Sequence, residues 1–462
     1  MTQPLLRIQI MSTIALITLP LPGHMRPMIV AARALQVAGH RPVVIGPADL
    51  TACIPEGISV HTVGRSDLPP GTLDAMCRCL SRMKRLSDLR QMFTVIARMS
   101  QFYLDHLPGA VEALGADAIL HDQLEPGAGL VARSLSRSWN VRHISLACAL
   151  PMNRDPSVPP PFLGWRYRPG RYGRWLNAGY YRVVNRLHAA QGEVLAGGAR
   201  RFGLQKPDGL EDWQQVWSVQ DGLSERTDLV QGLASLDYPR HAPPTYLGPF
   251  RDAHNSYPGL TSIAAERDGR PLAFISLGTL MGGRHAILRA MARAATARGL
   301  QPVIVHGGRL DVTRAHLPAG TITCDFLDQR AVLADASVAL LHGGYNSTTD
   351  AIAAGLPVVT VPLAFEQGAI AARVERAGLG RTVGRLGPSL NQRLQLALGD
   401  VMRSPHIQAA CRRAHYEAMA APGVSGLVAR IDGVLSPLSR PATPASCVPV
   451  NLSAGPGFVP AQ

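Results

Sequence analysis

One segment of the sequence, VALLHGGYNSTTDAIAAGLPVVTVPLAFEQ at residues 338–367, combines residue types that suit a bound phosphate. Glycines 343 and 344 follow an apolar run, and Asn346 and Ser347 lie where the next helix is expected to begin. A helix start presents unpaired N–H donors and a partial positive charge, and both favour an anion. The alternative is that Asn346 and Ser347 only cap this helix, with Asp350 as a favourable carboxylate in its first turn.

A second segment, LPLPGHMRPMIVAARAL, contains a candidate general base. His24 is expected in the loop between the first strand and a helix over residues 27–38, at the sheet edge where open α/β folds bind ligands. Because a helix N-terminus disfavours the charged imidazole, we expect His24 to be a neutral base near pH 7 that can take the proton of a hydroxyl group. The alternative is a polar loop residue with no role in chemistry.

A carboxylate that holds the second ring nitrogen would stabilise the imidazolium that such a base becomes. Asp122, which ends the predicted strand AILHD, is the candidate, and a helix cap is its alternative role. Its neighbours His121 and Glu125 are alternatives for the same function. His306, at the end of the strand in VIVHGG, is a further candidate for the lining of the cleft, with a packing or capping role as the alternative.

Short apolar runs alternate with helical patterns along most of the chain. After IALITLP and RPVVIG, the runs recur at AILHD, VRHISLAC, PLAFISLG, LQPVIVHGG, SVALLHGG and LPVVTVPL, with helices between them, for example over residues 285–298. This order predicts parallel sheets covered by helices. The length of 462 residues predicts two such sheets, since one domain commonly has about 150 residues.

The domain bounds follow from the places where this alternation stops. Residues 241–270, with HAPPTYLGPF, are predicted as an interdomain linker between domains over 11–240 and 271–435. The apolar run from Ile8 to Leu21 is not interpreted as a signal peptide, because no small-residue cleavage site follows it. Residues 1–10 are predicted to be dispensable. Residues 436–462 are rich in Pro, Ser and Ala with almost no charge, and they are predicted to be a disordered tail.

Composition excludes several classes of protein. With 46% hydrophobic and 17% charged residues, the chain has the profile of a globular protein, and its apolar runs are too short to span a membrane. The net charge of +14 could indicate nucleic acid, but all basic residues except Lys84 and Lys206 are arginine. A GC-rich coding sequence gives this ratio whatever the function, so no nucleic-acid partner is predicted. Seven cysteines without a CxxC pair predict neither disulfides nor a zinc site, and they favour a reducing compartment, the cytoplasm.

The chemistry-bearing segments resemble the UDP-dependent glycosyltransferases of family 1, whose α/β fold, GT-B, has two Rossmann-like, doubly wound domains facing across a cleft. The donor-binding signature of that family has His, Gly, Asn and Ser at a loop-to-helix turn, an acid three residues later, Gly-x-Pro, Pro, and an acid followed by Gln. This sequence matches the signature at His342, Gly344, Asn346, Ser347, Asp350, Gly355, Pro357, Pro362, Glu366 and Gln367.

The resemblance implies a role for each of these residues. The loop and helix start would hold the diphosphate of a nucleotide sugar, Asp350 the ribose, and Glu366 with Gln367 the sugar hydroxyls, where Gln usually goes with glucose. A second strand end in FISLGT would also face the diphosphate, through Ser276, Gly278 and Thr279. Two positions depart from plant members, which have Trp where this chain has Phe326 and Tyr345. Phe326 can still stack on uracil, more weakly, with Gln329 following it.

By the same resemblance, His24 in its Gly-His-x-x-Pro setting is the catalytic base, Asp122 is its partner, and the transfer inverts the sugar carbon. The sequence has no DxD triplet, which fits a metal-free mechanism without a cofactor, with UDP-glucose as co-substrate. Residues 11–240 would bind the acceptor and 271–435 the nucleotide sugar. Stretches such as HDQLEPGAGLVARSL resemble bacterial zeaxanthin glucosyltransferases, which implies a carotenoid hydroxyl as acceptor. A macrolide, sterol or phenol acceptor, or a GT-B protein without transferase activity, remain the alternatives.

Residues 151–192 do not follow the strand–helix alternation. They have no acidic residue after Asp155, and seven aromatic residues crowd into one part of them, interleaved with arginines 166, 168, 171, 174 and 182. The aromatic residues are Phe162, Trp165, Tyr167, Tyr172, Trp175, Tyr180 and Tyr181. One interpretation is an acceptor lid or a membrane-surface contact, where rings lie among headgroups and arginines meet anionic lipid. The other is cation–π packing inside an ordinary loop.

Overall fold

A computed structural model describes residues 11–82, 87–139, 141–204, 228–250, 263–384 and 389–436. The segment 1–10, the tail after residue 436 and residues 251–262 of the predicted linker lie outside this part of the chain.

Within the described residues, the N-terminal half is built on seven strands. They are β1 (Thr13–Ile17), β2 (Arg41–Gly46), β3 (Ser59–Thr62), β4 (Ala118–Asp122), β5 (Arg142–Ala147), β6 (Asp228–Val230) and β7 (Thr245–Tyr246). They form one parallel sheet in the order β3-β2-β1-β4-β5-β6-β7. The helices of this half are α1 (Pro22–Val37), α2 (Thr72–Arg82), α3 (Ser87–Leu114), α4 (Pro126–Ser138), α5 (Gly170–Leu187) and α6 (Ala189–Arg201).

The described part of the C-terminal half repeats this architecture with six strands. They are β8 (Leu272–Ser276), β9 (Gln301–Val305), β10 (Ile322–Cys324), β11 (Ala336–Leu341), β12 (Val358–Thr360) and β13 (Gly380–Thr382), paired in parallel in the order β10-β9-β8-β11-β12-β13. The helices that follow β8 are α7 (Gly278–Met281), α8 (His285–Thr296), α9 (Val312–Ala315), α10 (Gln329–Asp335), α11 (Tyr345–Ala353), α12 (Gln367–Arg376), α13 (Leu390–Arg403), α14 (Pro405–Ala420) and α15 (Gly423–Leu435).

The central strands show why the apolar runs become strands of parallel sheets. Residues 14–17 of β1 and 272–275 of β8 have no exposed surface, because helices cover both faces of each sheet. The connection after α1 shows how the chain turns between helix and strand. Gly39 has a φ of 85°, its N–H donates to the Gln36 carbonyl, and the His40 N–H donates to the Leu35 carbonyl. This Schellman motif ends the helix at Val37, within one residue of the predicted end at 38.

The structure differs from the predicted domain division in two places. β7 lies inside the predicted linker 241–270 and extends the first sheet. The last helix, α15, crosses back to the N-terminal half, where Leu427 and Ile431 are buried in its core and Asp432 accepts a hydrogen bond of 2.8 Å from His40 Nε2. The apolar residues of α15 are covered by α1 and β5, so this helix belongs to the first core.

The aromatic, arginine-rich stretch is a helix over much of its length rather than a loop. In α5, Tyr181 is fully buried, whereas Tyr172 and Trp175 are 60% and 71% exposed. Before α5, the ring of Tyr167 stacks on Tyr238 with centroids 5.2 Å apart, and the Arg376 guanidinium lies 4.7 Å from the Tyr167 centroid. The stretch therefore combines cation–π packing at its start with an exposed aromatic face in α5.

Within the described residues, no single helix has the length and apolar composition needed to cross a membrane; only the bent pair α14 and α15 meets the length and composition test together.

Candidate active site

Both sheets bring chemistry-bearing residues to their carboxyl edges, at the point where the strand order reverses. In the first sheet, Asp122 ends β4 and His24 follows the adjacent β1. In the second sheet, Ser276 ends β8 and His342 follows the adjacent β11. Ligands of open α/β sheets bind in the crevice at this kind of position.

His24 and Asp122 form a buried pair. His24 Nδ1 lies 2.7 Å from Asp122 Oδ2, and Asp122 has no exposed surface. The other carboxylate oxygen accepts a hydrogen bond of 3.0 Å from the Leu124 N–H, which fixes the carboxylate. A base held at Nδ1 by a carboxylate has Nε2 left for a substrate proton, as in hydrolytic triads.

His24 lies in the first turn of α1 rather than in a loop. The helix begins at Pro22, five residues before the predicted start, because proline is favoured at the first helical position, where its missing N–H costs nothing. The second proline, Pro27, cannot donate to the carbonyl four residues earlier, that of Gly23. The Asn346 side chain from the C-terminal half donates to this carbonyl instead.

The pKa of His24 is opposite in direction to the one predicted from the helix start. Burial lowers the pKa, but the Asp122 carboxylate, by its charge and its hydrogen bond, and the Glu366 carboxylate raise it more, so it lies above its ordinary value. Two carboxylates close to the ring outweigh the partial charge of the helix N-terminus. Glu366, one of the residues predicted to hold the sugar, acts on His24 from the other half of the molecule.

The two alternatives to Asp122 have other contacts. His121 Nδ1 lies 3.3 Å from the Asp122 backbone carbonyl, and burial lowers the His121 pKa to about 4. Glu125 accepts a hydrogen bond of 3.1 Å from Ser100 Oγ, and burial raises the Glu125 pKa to about 8. Nor is Asp122 a helix cap, because the residue before α4 is Glu125. His306 is also buried, 3.3 Å from Asp325, and accepts from the Leu310 N–H, which favours the packing role for it.

The start of α11 has the geometry of an anion site rather than a capped helix. Gly344 is the residue before the helix, no side chain caps it, and Asn346 and Ser347 lie within its first turn. Asn346 is held by two contacts with the N-terminal half, since its amide donates to the Gly23 carbonyl and its oxygen accepts from Gln231. The N–H groups of this turn are the donors that a phosphate would use.

His342 lies beside this helix start in the neutral form. Burial lowers its pKa to about 4, and Nδ1 lies 3.3 Å from the Ser276 backbone carbonyl. A side chain at Gly278 or Gly344 would collide with the ring, since an added Cβ would lie 2.9 Å and 2.5 Å from Nε2 respectively. The two glycines therefore make room for this histidine. The Ser276 hydroxyl is used internally: it donates to the Val305 carbonyl and accepts from the Gly278 N–H.

The residues predicted for the nucleoside lie together at the other side of α11. Asp350 accepts a hydrogen bond of 3.1 Å from the Gln329 amide, and the Arg26 guanidinium lies 3.6 Å from the same Asp350 oxygen. Phe326 is 55% exposed, so its side chain is accessible to a base. Thr279, in α7, packs against the loop at Gly307.

Glu366 and Gln367 differ in which of their side-chain polar atoms are available to bind a sugar. Glu366 precedes α12, caps no N–H with its side chain, and follows Phe365, whose φ of 55° is unusual for a residue other than glycine. Gln367 is buried, and its side-chain oxygen accepts from the N–H groups of Leu363 and Ala364 at 2.8 and 2.9 Å. This oxygen shapes the loop before Glu366, so only the NH₂ group of Gln367 remains for a ligand.

Contacts between the halves that the sequence analysis missed surround this site. Residues 159–169, which we call the strap, run from the N-terminal half to the first turn of α12, where an added Cβ on Gly164 would lie 3.0 Å from the Gly368 carbonyl. Behind the strap, buried Asp237 accepts from Arg373 at 2.8 Å and from Arg240 at 2.7 Å. No local pattern marks these residues, because their partners are far apart in sequence.

The sequence is similar to those of known glycosyltransferases. The family model described as UDP-glucoronosyl and UDP-glucosyl transferase matches residues 219–411. A zeaxanthin glucosyltransferase of Pantoea ananas is 30% identical over 416 residues, which are 87% of this chain and 93% of that protein. A zeaxanthin glucosyltransferase of Pseudescherichia vulneris is 29% identical over 400 residues, 84% of this chain and 91% of that protein.

Solved structures show the same fold. The crystal structure of the glycosyltransferase of kitacinnamycin superposes with a TM-score of 0.68 at 20% identity, covering 92% of this chain and 98% of that one. The two parallel sheets, the donor-type signature at the edge of the second and the extent of these matches lead to one conclusion: the chain belongs to the family 1 glycosyltransferases and is a glycosyltransferase of the GT-B fold.

Proposed function

We propose that this enzyme transfers glucose from UDP-glucose to a hydroxyl group of a lipophilic acceptor, zeaxanthin or a related carotenoid diol, to give a mono- and then a diglucoside. The observation that carries the proposal is that His24, 2.7 Å from Asp122, lies in the helix turn whose Gly23 carbonyl contacts Asn346 of the donor signature. A base and a donor-binding helix are thereby held on either side of one crevice.

The proposed reaction is a single displacement with inversion at the sugar carbon. His24 Nε2 takes the proton of the acceptor hydroxyl while its oxygen forms a bond to the anomeric carbon, and the bond from that carbon to the diphosphate oxygen breaks. UDP leaves with the electron pair of the broken bond. The proton stays on His24, where Asp122 stabilises the imidazolium through the hydrogen bond to Nδ1.

On the donor side, we assign the diphosphate to the uncapped start of α11 with Gly344, Asn346 and Ser347, beside His342 and the strand end at residues 276–279. Asp350 is assigned to the ribose hydroxyls, and Phe326 with Gln329 to the uracil. These donors are fixed before the reaction and point at the charge that develops on the leaving group, so the proposal needs no metal ion. Glu366, with the NH₂ group of Gln367, is assigned to the sugar hydroxyls.

The carotenoid acceptor is supported by relatives at about 30% identity that are zeaxanthin glucosyltransferases and match along most of their length. We assign acceptor binding to the N-terminal half and nucleotide-sugar binding to the C-terminal half, in line with the predicted domains. A macrolide, sterol or phenol would use the same donor site and the same base, and it is the alternative that an acceptor panel separates.

The exposed face of α5 supports peripheral contact with a membrane that contains the acceptor. Tyr172 and Trp175 are largely exposed, and arginines 171, 174, 182 and 186 of the same helix are also exposed. Interfacial tyrosine and tryptophan favour the headgroup region, and arginines are attracted to anionic lipid. We place the enzyme on the cytoplasmic side, which the cysteine pattern of the sequence supports.

The test is mass spectrometry of the products formed by purified protein with UDP-glucose and zeaxanthin in detergent, beside His24→Ala. Mono- and diglucosides that disappear in the variant support donor, acceptor and base together. Release of UDP with another lipophilic alcohol, and no product with zeaxanthin, would keep the transferase and remove the carotenoid. Product from dTDP-glucose alone would change the nucleotide, and no product with any donor or acceptor would indicate a GT-B protein without transferase activity.

A further inference from the structure

The first turns of α1 contain an arginine whose side chain extends from the acceptor-binding half to the donor-binding half. Arg26 lies two residues after His24, and its guanidinium is 3.6 Å from Asp350 Oδ2 on α11. The same stretch of α1 contacts the C-terminal half through the Gly23 carbonyl and Asn346. Arg26 therefore extends across the crevice toward the residues to which we assign the nucleotide.

The contact between Arg26 and Asp350 leaves the guanidinium able to bind a ligand. At 3.6 Å it is longer than a hydrogen bond, and the Arg26 side chain is 35% exposed. A partly exposed ion pair of this length contributes little to folding stability. Asp350 meanwhile has a closer partner in the Gln329 amide, at 3.1 Å. Arginine has five N–H donors in a planar fork, and this geometry fits phosphate oxygens.

The negative charges at the site would be offset by a cation such as this guanidinium. A nucleoside diphosphate brings negative charge to a crevice that already contains two carboxylates, Asp350 and Glu366. His342 is neutral at pH 7, since its pKa is about 4. His24 has to be neutral to act as a base. A guanidinium group supplies a positive charge, and Arg26 lies at the edge of the same crevice.

We propose that Arg26 is a donor-binding residue whose guanidinium binds the diphosphate of the nucleotide sugar from the acceptor-binding half. This inference rests on the proposed function. When the bond to the sugar breaks, negative charge develops on the diphosphate oxygen, and the arginine stabilises it. Because Arg26 and His24 belong to adjoining turns of one helix, donor binding also fixes the base next to the sugar.

Calorimetric titration with UDP and with uridine tests the proposal in the wild type, Arg26→Gln, Arg26→Lys and Arg41→Gln. Arg41 is an exposed arginine of the same half, at the start of β2 and thus at the opposite edge of the sheet. We expect Arg26→Gln to weaken UDP binding at least about tenfold, with uridine binding and the melting temperature unchanged. Arg26→Lys should be intermediate, and Arg41→Gln should match the wild type.

Equal UDP affinity in the wild type and in Arg26→Gln would overturn the role of Arg26 alone and leave the proposed function standing. An equal loss for UDP and uridine would also overturn it, because the arginine would then act on the ribose through Asp350. If the wild type binds dTDP in place of UDP, the proposed donor is wrong and the same comparison is made with dTDP and thymidine. A wild type that binds no nucleoside diphosphate overturns both proposals.

Discussion

The side-chain amide of Asn346 donates a hydrogen bond to the backbone carbonyl of Gly23, although the two residues lie in different halves of the molecule. The carbonyl is available because the residue four positions later is Pro27, which has no N–H to close the helical hydrogen bond. The proline of the Gly-His-x-x-Pro segment thus has a structural function. The missing N–H of Pro27 leaves the Gly23 carbonyl, next to His24, as an acceptor, and the Asn346 side chain donates a hydrogen bond to it.

This relationship predicts coupling between Pro27 and Asn346 in a double-mutant cycle. Asn346→Ala should lower the free energy of unfolding by about 1 kcal/mol, since the Gly23 carbonyl loses its donor. In the Pro27→Ala background the helix supplies that donor, so Asn346→Ala should cost less. Urea denaturation of the four proteins measures the difference, and additive effects would show that the two residues do not share the carbonyl.

The His24–Asp122 pair predicts the pH dependence of the transfer. The base has to be neutral, so kcat/KM should rise with pH and level off above the pKa of His24, which the carboxylates hold above its ordinary value of 6.5. Asp122→Asn removes a negative charge from the imidazolium, so the inflection should move to lower pH while the plateau falls. His24→Ala should lower kcat about 10²- to 10⁴-fold. An inflection that stays in place in Asp122→Asn would contradict the pairing.

The buried carboxyl group of Glu125 predicts a pH dependence of folding stability that is separate from catalysis. Burial raises its pKa from 4.5 to about 8, so between these values the folded protein holds a proton that the unfolded chain releases. The free energy of unfolding should therefore fall as pH rises through this window, by at most about 1.4 kcal/mol per pH unit. Glu125→Gln keeps an oxygen for Ser100 and should be more stable than the wild type at pH 8 but not at pH 4. The exposed Glu112→Gln is the control, and equal pH slopes in all three proteins would refute the prediction.

Because the strap packs closely against α12, we expect a methyl group added at Gly164 to alter the donor site. Gly164→Ala would place a Cβ 3.0 Å from the Gly368 backbone, which has to move, and Gly368 is two residues from Glu366. We expect kcat/KM for the donor to fall about tenfold or more, because small displacements near reacting groups are costly. Gly179→Ala, on α5, meets nothing within 4 Å and should leave the kinetics unchanged. Identical kinetics in the two variants would mean that the strap does not position α12.

The face of α5 predicts binding to anionic vesicles. Protein should sediment with vesicles that contain phosphatidylglycerol more than with phosphatidylcholine alone, and salt should weaken the binding. Arg174→Gln should lower the affinity about fivefold, at roughly 1 kcal/mol per arginine. Trp175→Ser should also weaken binding, while Tyr416→Ser, which removes an equally exposed ring from α14, should not. Equal effects of the two ring substitutions would leave the aromatic residues of α5 without a membrane role.

The local patterns of the sequence determined the elements and the approximate positions of the site residues. The alternation of apolar runs and helical segments predicted the parallel strands, and a run such as RPVVIG became β2 over the same residues because it is buried on both faces. α1 ends within one residue of its predicted end at 38, because the positive φ of Gly39 allows the Schellman turn. These features depend on neighbouring residues, which the sequence displays directly.

The tertiary structure decided the features that depend on residues distant in sequence. The pKa of His24 is raised because folding brings Asp122 and Glu366 to it, which the helix start alone did not indicate. Gln367 has its oxygen turned to the backbone of its own loop. The last helix joins the first core because its apolar face is covered there. Charge, burial and donor satisfaction at these positions are properties of three-dimensional neighbours, so no local pattern could supply them.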